Sequence, residues 1–208
     1  MCFLYTVDLS FLVREAVEKL YSPGAGYRTW IEMERTITTL NSKADNWLSH
    51  LPSQLCFAPL DQDDPLARWR TGLGFHFYTT KLIITQPCLR RIAYQTPSVA
   101  VPSAVCNSMA SLCVQVARQM LALLPDQVDT TWLYSMTQWW CILHYIMQST
   151  SVLLIELFAH CRPRTREAAQ LIDEIQKAMH WLREMSTKDQ SAQRAWLICR
   201  DLLSRHGP

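Results

Sequence analysis

Glycine is scarce in this 208-residue chain, at 5 residues, and proline numbers only 10. So few turn formers exclude a turn-rich all-β protein. None of the 8 cysteines, at positions 2, 56, 88, 106, 113, 141, 161 and 199, sits in a Cys-x2-Cys pair, so the usual zinc-site spacing is absent. Cys106 and Cys113 lie near each other on one amphipathic segment without further ligands at short spacing. Buried thiols in a reducing compartment are the expectation, and no metal site. Charge is thin as well: charged residues make up 18% and the net charge is +2, too balanced for a nucleic-acid-binding face. The basic groups Arg162, Arg164 and Arg166, and the pair Arg90–Arg91, read as solvated helix flanks. The apolar start "MCFLYTVDLSFLV" has no basic leader and is interrupted by Asp8, so it is not a secretory signal and the protein is expected inside the cell. Nucleophile elbows, phosphate-binding glycine loops and His-Glu-x-x-His are all missing, as are fixed repeats and low-complexity tracts.

What the chain has is apolar mass at helical spacing. Hydrophobic residues reach 49%, enough to fold and to hint at buried interfaces beyond one core. The apolar period predicts about seven helices and an all-α, irregular bundle. The first runs from about Leu9 to Tyr21 and stops at "SPGAG". The second, from Trp30 to Leu51, places Ile37, Leu40, Ala44, Trp47, Leu48 and Leu51 on one face. Asp64–Pro65 reads as the cap of a third, with Leu66, Trp69, Leu73, Phe77, Thr80, Ile83 and Ile84 on its stripe, kinked or ended at Pro87. The fourth carries Val105, Met109, Leu112, Val116, Met120 and Leu124 up to Pro125. Ser135 and Gln138 form a capping-box pattern before the fifth, whose stripe includes Trp139, Trp140, Leu143, Ile146, Leu153, Leu157 and Phe158. On the sixth, Leu171, Ile172, Ile175, Met179, Leu182 and Met185 are expected inside, with Glu174 and Lys177 among the solvent-side charges. Thr187 and Gln190 open the last helix by the same capping rule. Residues 1–208 are expected to form a single domain, with 95–103 as the candidate hinge.

The fifth segment raises the functional alternatives. From Thr130 to Ile155 no Asp, Glu, Lys or Arg occurs, so a single membrane span is one reading. Gln138, His144, Gln148 and several hydroxyls speak for a soluble core helix instead, as does the lack of flanking positive charge. Thr137, Cys141, His144, Gln148 and Ser151 recur at offsets of three and four, which places them on one side of the helix. This polar stripe is the candidate effector- or partner-facing surface, with His76 as a candidate neighbour; the structural alternative is a satisfied core histidine. Asp61, Asp63 and Asp64 suggest the metal-binding acids of a helical lyase or terpene synthase, but they sit in a loop and no second acidic motif follows. No catalytic residue is therefore assigned.

Several stretches carry a resemblance. "KADNWLSHLPSQLCF" has the form Trp47-x3-Leu51-Pro52-x2-Leu55-x-Phe57, and a long helix ending "IITQPCLRR" follows it. "WWCILHYIMQSTSVLLIEL" and "AMHWLREMSTKDQSAQRAW" complete the order. From about Leu9 to Leu203 the chain resembles the later half of the regulatory, middle homology domain of fungal zinc-binuclear-cluster transcription factors. Where that family usually has Arg-Pro, this chain has Gln86–Pro87. The resemblance implies a non-enzymatic regulatory domain governing RNA polymerase II transcription, and a nuclear location in place of a cytoplasmic one. The six-cysteine, two-zinc DNA-binding module of that family is not among these residues, so zinc is expected only there and DNA is contacted only indirectly. A protein partner or self-association through an exposed apolar helix face, and a small-molecule effector, are the interactions implied. A partial domain is the corresponding expectation for the chain.

Overall fold

The computed structural model describes residues 2–23, 29–57, 66–94, 101–129, 131, 139–159 and 165–206. Among these the protein is all-α, with no strand. The helices are α1 (Cys2–Leu20), α2 (Trp30–Ser49), α3 (Ala67–Ala93), α4 (Ala104–Ala122), α5 (Trp139–Ala159), α6 (Arg166–Met185) and α7 (Gln190–His206). They fall into two compact units, Met1–Val116 and Ala117–Pro208, with the division inside α4. Of the connector at 95–103, only 101–103 are among the described residues.

In the first unit α1, α2 and α3 pack mutually. Leu9, Leu12, Ala16 and Leu20 of α1 and Met33, Ile37, Leu40 and Ala44 of α2 are buried, each set spaced at three or four residues. Thr29 caps α2 in a full capping box with Glu32, which fixes its start. α1 begins earlier than the expected Leu9. The added turns are anchored by Tyr5, whose ring meets Trp47 edge-on at 6.2 Å.

α3 is buried over most of its circumference, including Leu73, Phe75, Phe77, Leu82, Ile84 and Leu89. Trp69, expected on its core stripe, is instead exposed, because a helix surrounded by neighbours has no single apolar face to read. The segment after α2 docks on this helix. Leu51, Leu55 and Leu73 form one buried cluster, against which Tyr5, Trp47, Leu48 and Phe57 pack. Trp47 stacks on Phe77 at 5.6 Å, Phe57 lies 5.5 Å from the same ring, and Arg70 Nε donates to the Gln54 carbonyl at 2.8 Å. The Trp-x3-Leu-Pro-x2-Leu-x-Phe pattern is thus a docking motif for the chain reversal between α2 and α3. Each buried leucine contributes about 1.5–3 kcal/mol.

Of the two expectations at Pro87, a kink or an end, the end does not occur: α3 runs on to Ala93. Proline lacks the N–H that would reach the Ile83 carbonyl four residues back. The Tyr21 hydroxyl, just past the end of α1, donates to that carbonyl at 2.7 Å and replaces the missing bond. Several polar groups on the buried sides are paired, although Thr79 Oγ1 and Arg91 Nε are shielded without a hydrogen-bond partner. Thr80 and Thr85 hydroxyls donate to the carbonyls of His76 and Lys81 at 2.8 Å. Lys81, 5% exposed, places its ammonium on Asp45 of α2 at 2.5 Å and near the Phe77 ring. The start of α4 is tied in as well: Ser103 Oγ accepts from the Cys106 N–H at 3.0 Å and donates to Glu34 at 2.8 Å. Glu34 also accepts from Trp30 Nε1, and the Arg91 guanidinium lies over the Trp30 ring at 4.3 Å. Val105, expected inside, is exposed; Cys106, Ala110 and Cys113 form the buried side in its place.

In the second unit α6 packs on α5 and α7. Thr165 caps α6 by accepting from the Ala168 N–H at 3.2 Å. Its core face is Ala168, Leu171, Ile175, Ala178, Trp181, Leu182 and Met185. Trp181 is fully buried, and its indole N–H donates to the Pro125 carbonyl at 3.2 Å. Thr187 does not cap α7; its hydroxyl donates back to Glu184, and Asp189 accepts from the Ala192 N–H at 2.6 Å. The Ser135–Gln138 pattern before α5 lies outside the described residues. α5 is long and apolar enough to cross a bilayer. It buries Ile142, Ile146, Val152, Leu153 and Leu157 within the unit, together with Ser149 and Thr150. Trp140 and Phe158, expected in the core, are exposed.

Replacing Tyr21 with Phe should leave the Ile83 carbonyl without its donor. Chemical denaturation is expected to show a loss of about 1 kcal/mol, since the site is only partly shielded.

Candidate functional site

Helical spacing predicts a polar stripe on α5, and Cys141, His144, Gln148 and Ser151 do share one flank of that helix. Thr137 lies outside the described residues. Cys141 is half-buried, and burial pushes its thiol up, which keeps it neutral and a poor nucleophile. His144 is exposed rather than a core histidine, its ring meeting that of Tyr145 at 5.8 Å. Gln148 is half-buried, with its carbonyl oxygen shielded and accepting no hydrogen bond. Ser151 spends its hydroxyl on the Met147 carbonyl at 2.7 Å. The flank therefore presents one exposed ring and one unsatisfied amide oxygen at the rim of the buried face. His76 belongs to the first unit, on α3.

The thiols of Cys88, Cys106 and Cys199 are raised by burial first of all, which makes them unreactive core groups. Among the described residues no three His, Cys, Asp or Glu side chains converge as a metal site would require. Asp61, Asp63 and Asp64 lie outside the described residues.

A different arrangement appears between α4 and α6, wholly within the second unit. A groove of about 350 Å³ is lined by Arg118, Gln119, Leu121 and Ala122 from the end of α4, and by Glu174 and Lys177 from α6. Two ion pairs bracket it. Arg118 Nε meets Glu174 Oε2 at 2.8 Å, and Lys177 Nζ meets Asp126 Oδ1 at 2.7 Å. Lys177 holds the Asp126 carboxyl below its ordinary range through this bond. Glu174 and Lys177 were expected on the solvent side of α6. They instead occupy the flank next to Trp181, which the structure buries. The signal was present in the sequence as the spacing of 174, 177 and 181, since a tryptophan at i+7 and i+4 draws its flank toward a neighbour.

Comparison with known proteins places the chain near one class: it is similar to a fungal transcription regulator. That relative is the transcription regulator galc of Aspergillus niger, 29% identical over an alignment of 237 positions covering 97% of this chain. The chain spans 29% of that regulator's length. No family model and no solved structure matches.

Burial lowers the pKa of His76 from its ordinary 6.5. The unfolded chain thus takes up this proton at higher pH than the folded chain. The stability contribution is complete above 6.5 and declines as pH falls below it. Urea midpoints should therefore drop as pH falls below about 6.5, and the drop should be shallower in His76→Gln.

Proposed function

We propose that this chain is the helical regulatory part of a fungal transcription regulator, acting on RNA polymerase II transcription without catalysis of its own. The observation that carries this reading is the similarity to galc, which extends over 97% of the chain. The order of motifs adds the finer assignment, to the later half of the middle homology domain of zinc-binuclear-cluster factors. The structure supports it physically, because the Trp47–Phe57 pattern is used as a docking element on α3 and not as a catalytic one. These 208 residues contain no six-cysteine cluster, so DNA is reached through another module and zinc resides there. The nucleus is the corresponding location.

Regulation of this kind needs two helix arrangements that an effector or partner binds with different free energies. For the partner, the outer face of α1 is suited: Phe3, Leu4, Phe11 and Val17 are all exposed, opposite the buried Leu9, Leu12 and Ala16. Such a stripe is covered in a partnered state, and we assign it to self-association. For an effector, the flank of Cys141, His144, Gln148 and Ser151 remains one surface on offer.

Fused to a heterologous zinc-cluster DNA-binding domain, the chain should change a reporter's transcription severalfold relative to that domain alone. A fusion indistinguishable from the bare domain would remove the regulatory reading. At micromolar concentration the chain should sediment above its monomer mass, and Leu4→Ser with Phe11→Ser should return it to monomer. A wild-type monomer throughout would remove the self-association assignment alone.

A further inference from the structure

We propose that the groove between the end of α4 and α6 binds a small carboxylate with an apolar body, whose carboxyl group takes Lys177 in exchange for Asp126. The role as an effector site rests on the regulatory reading above; the binding itself does not.

One ion pair at the groove is asymmetric. The Lys177 side chain is 25% exposed, whereas its partner Asp126 is 94% exposed. A cation shielded to that degree needs a counter-charge, but its present one is a surface aspartate that water solvates equally well. Exchange of one carboxylate for another conserves the ion pair. What the ligand adds is apolar contact, because Leu121 and Ala122 line the groove beside the cation. The volume of about 350 Å³ lies within the roughly 300–1,000 Å³ of small-molecule sites.

Two further contacts keep the groove in shape when Asp126 leaves. Trp181 Nε1 holds the Pro125 carbonyl at 3.2 Å, so the segment carrying Asp126 stays beside α6. Glu174, one turn from Lys177, would repel an incoming anion were it free. Its charge is matched by Arg118 at 2.8 Å. With Asp126 turned to solvent, the remaining groups are two cations and one anion, a net positive site over an apolar floor. That combination selects an anion and discriminates against the corresponding alcohol.

The test is calorimetric titration of the full 208-residue chain with octanoate and, separately, octanol. Octanoate should bind saturably at one site per chain, and octanol should not compete for it. Lys177→Met should weaken octanoate by at least about tenfold, the loss of a hydrogen-bonded charge pair. Asp126→Asn should tighten it, because the protein's own competing carboxylate is gone. A merely structural ion pair predicts the opposite for Asp126→Asn, or no change. Equal binding of octanol, or octanoate binding that survives Lys177→Met, would assign the uptake to the exposed apolar face of α1 and overturn the proposal. Should Lys177→Met fail to fold, the sign of the Asp126→Asn effect decides, since that fully exposed side chain leaves the core untouched. The outcome is independent of the reporter fusion, so the site and the regulatory reading fail separately.

Discussion

A helix enclosed by protein cannot hand its polar groups to water, and the first unit is arranged around that constraint on α3. Lys81, Thr71, Thr80 and Thr85 all lie on its buried sides, and proline removes one backbone donor as well. The bonds that serve Thr80, Thr85, Lys81 and the Ile83 carbonyl come from within α3 itself or from a neighbour. Thr80 and Thr85 turn back to carbonyls in the preceding turn, Asp45 of α2 meets the ammonium, and Tyr21 beyond α1 serves the orphan carbonyl. These polar contacts specify which neighbours α3 accepts, while the aromatic cluster around Trp47 and Phe77 supplies much of the apolar burial.

The second unit shows the same economy with charge. Only 18% of residues are charged, yet Arg118, Glu174, Lys177 and Asp126 are brought to one groove. Lys177 is largely shielded while its partner Asp126 is almost fully exposed, and that difference decides which member of the pair can be displaced. The polar flank of α5 is different in kind. Its serine is committed to its own helix and its cysteine is held neutral, which leaves His144 and Gln148 as its chemically available members.

The helices were legible in the sequence wherever one face meets the core. Ile37, Leu40 and Ala44 on α2, or Leu171, Ile175 and Leu182 on α6, repeat at a spacing that admits one interpretation, and the structure buries them all. Legibility failed where that premise failed. α3 is enclosed on several sides, so Trp69 looked as internal as Phe77. α5 is apolar on nearly every side, so the spacing that includes Trp140 in its stripe does not separate the outside from the inside: Trp140 lies outside and small Ser149 and Thr150 lie inside. Capping patterns were ambiguous for a related reason: Thr187 and Asp189 are both suitable acceptors, and only the geometry of the chain reversal selects Asp189. The groove was hidden because charged residues on a strongly amphipathic helix are read as solvated by default. Trp181 on the same flank was the counter-indication.

The bond from Tyr21 to Ile83 has a consequence for alkaline conditions. A phenol can serve as donor only while it keeps its proton, and burial pushes this one up to about 12 from 10.0. The contribution is whole below the unfolded value and fades only as the medium passes the folded one. No cytoplasm or nucleus reaches such basicity, so the continuity of α3 past its proline is insulated from any acidity change a living cell can impose.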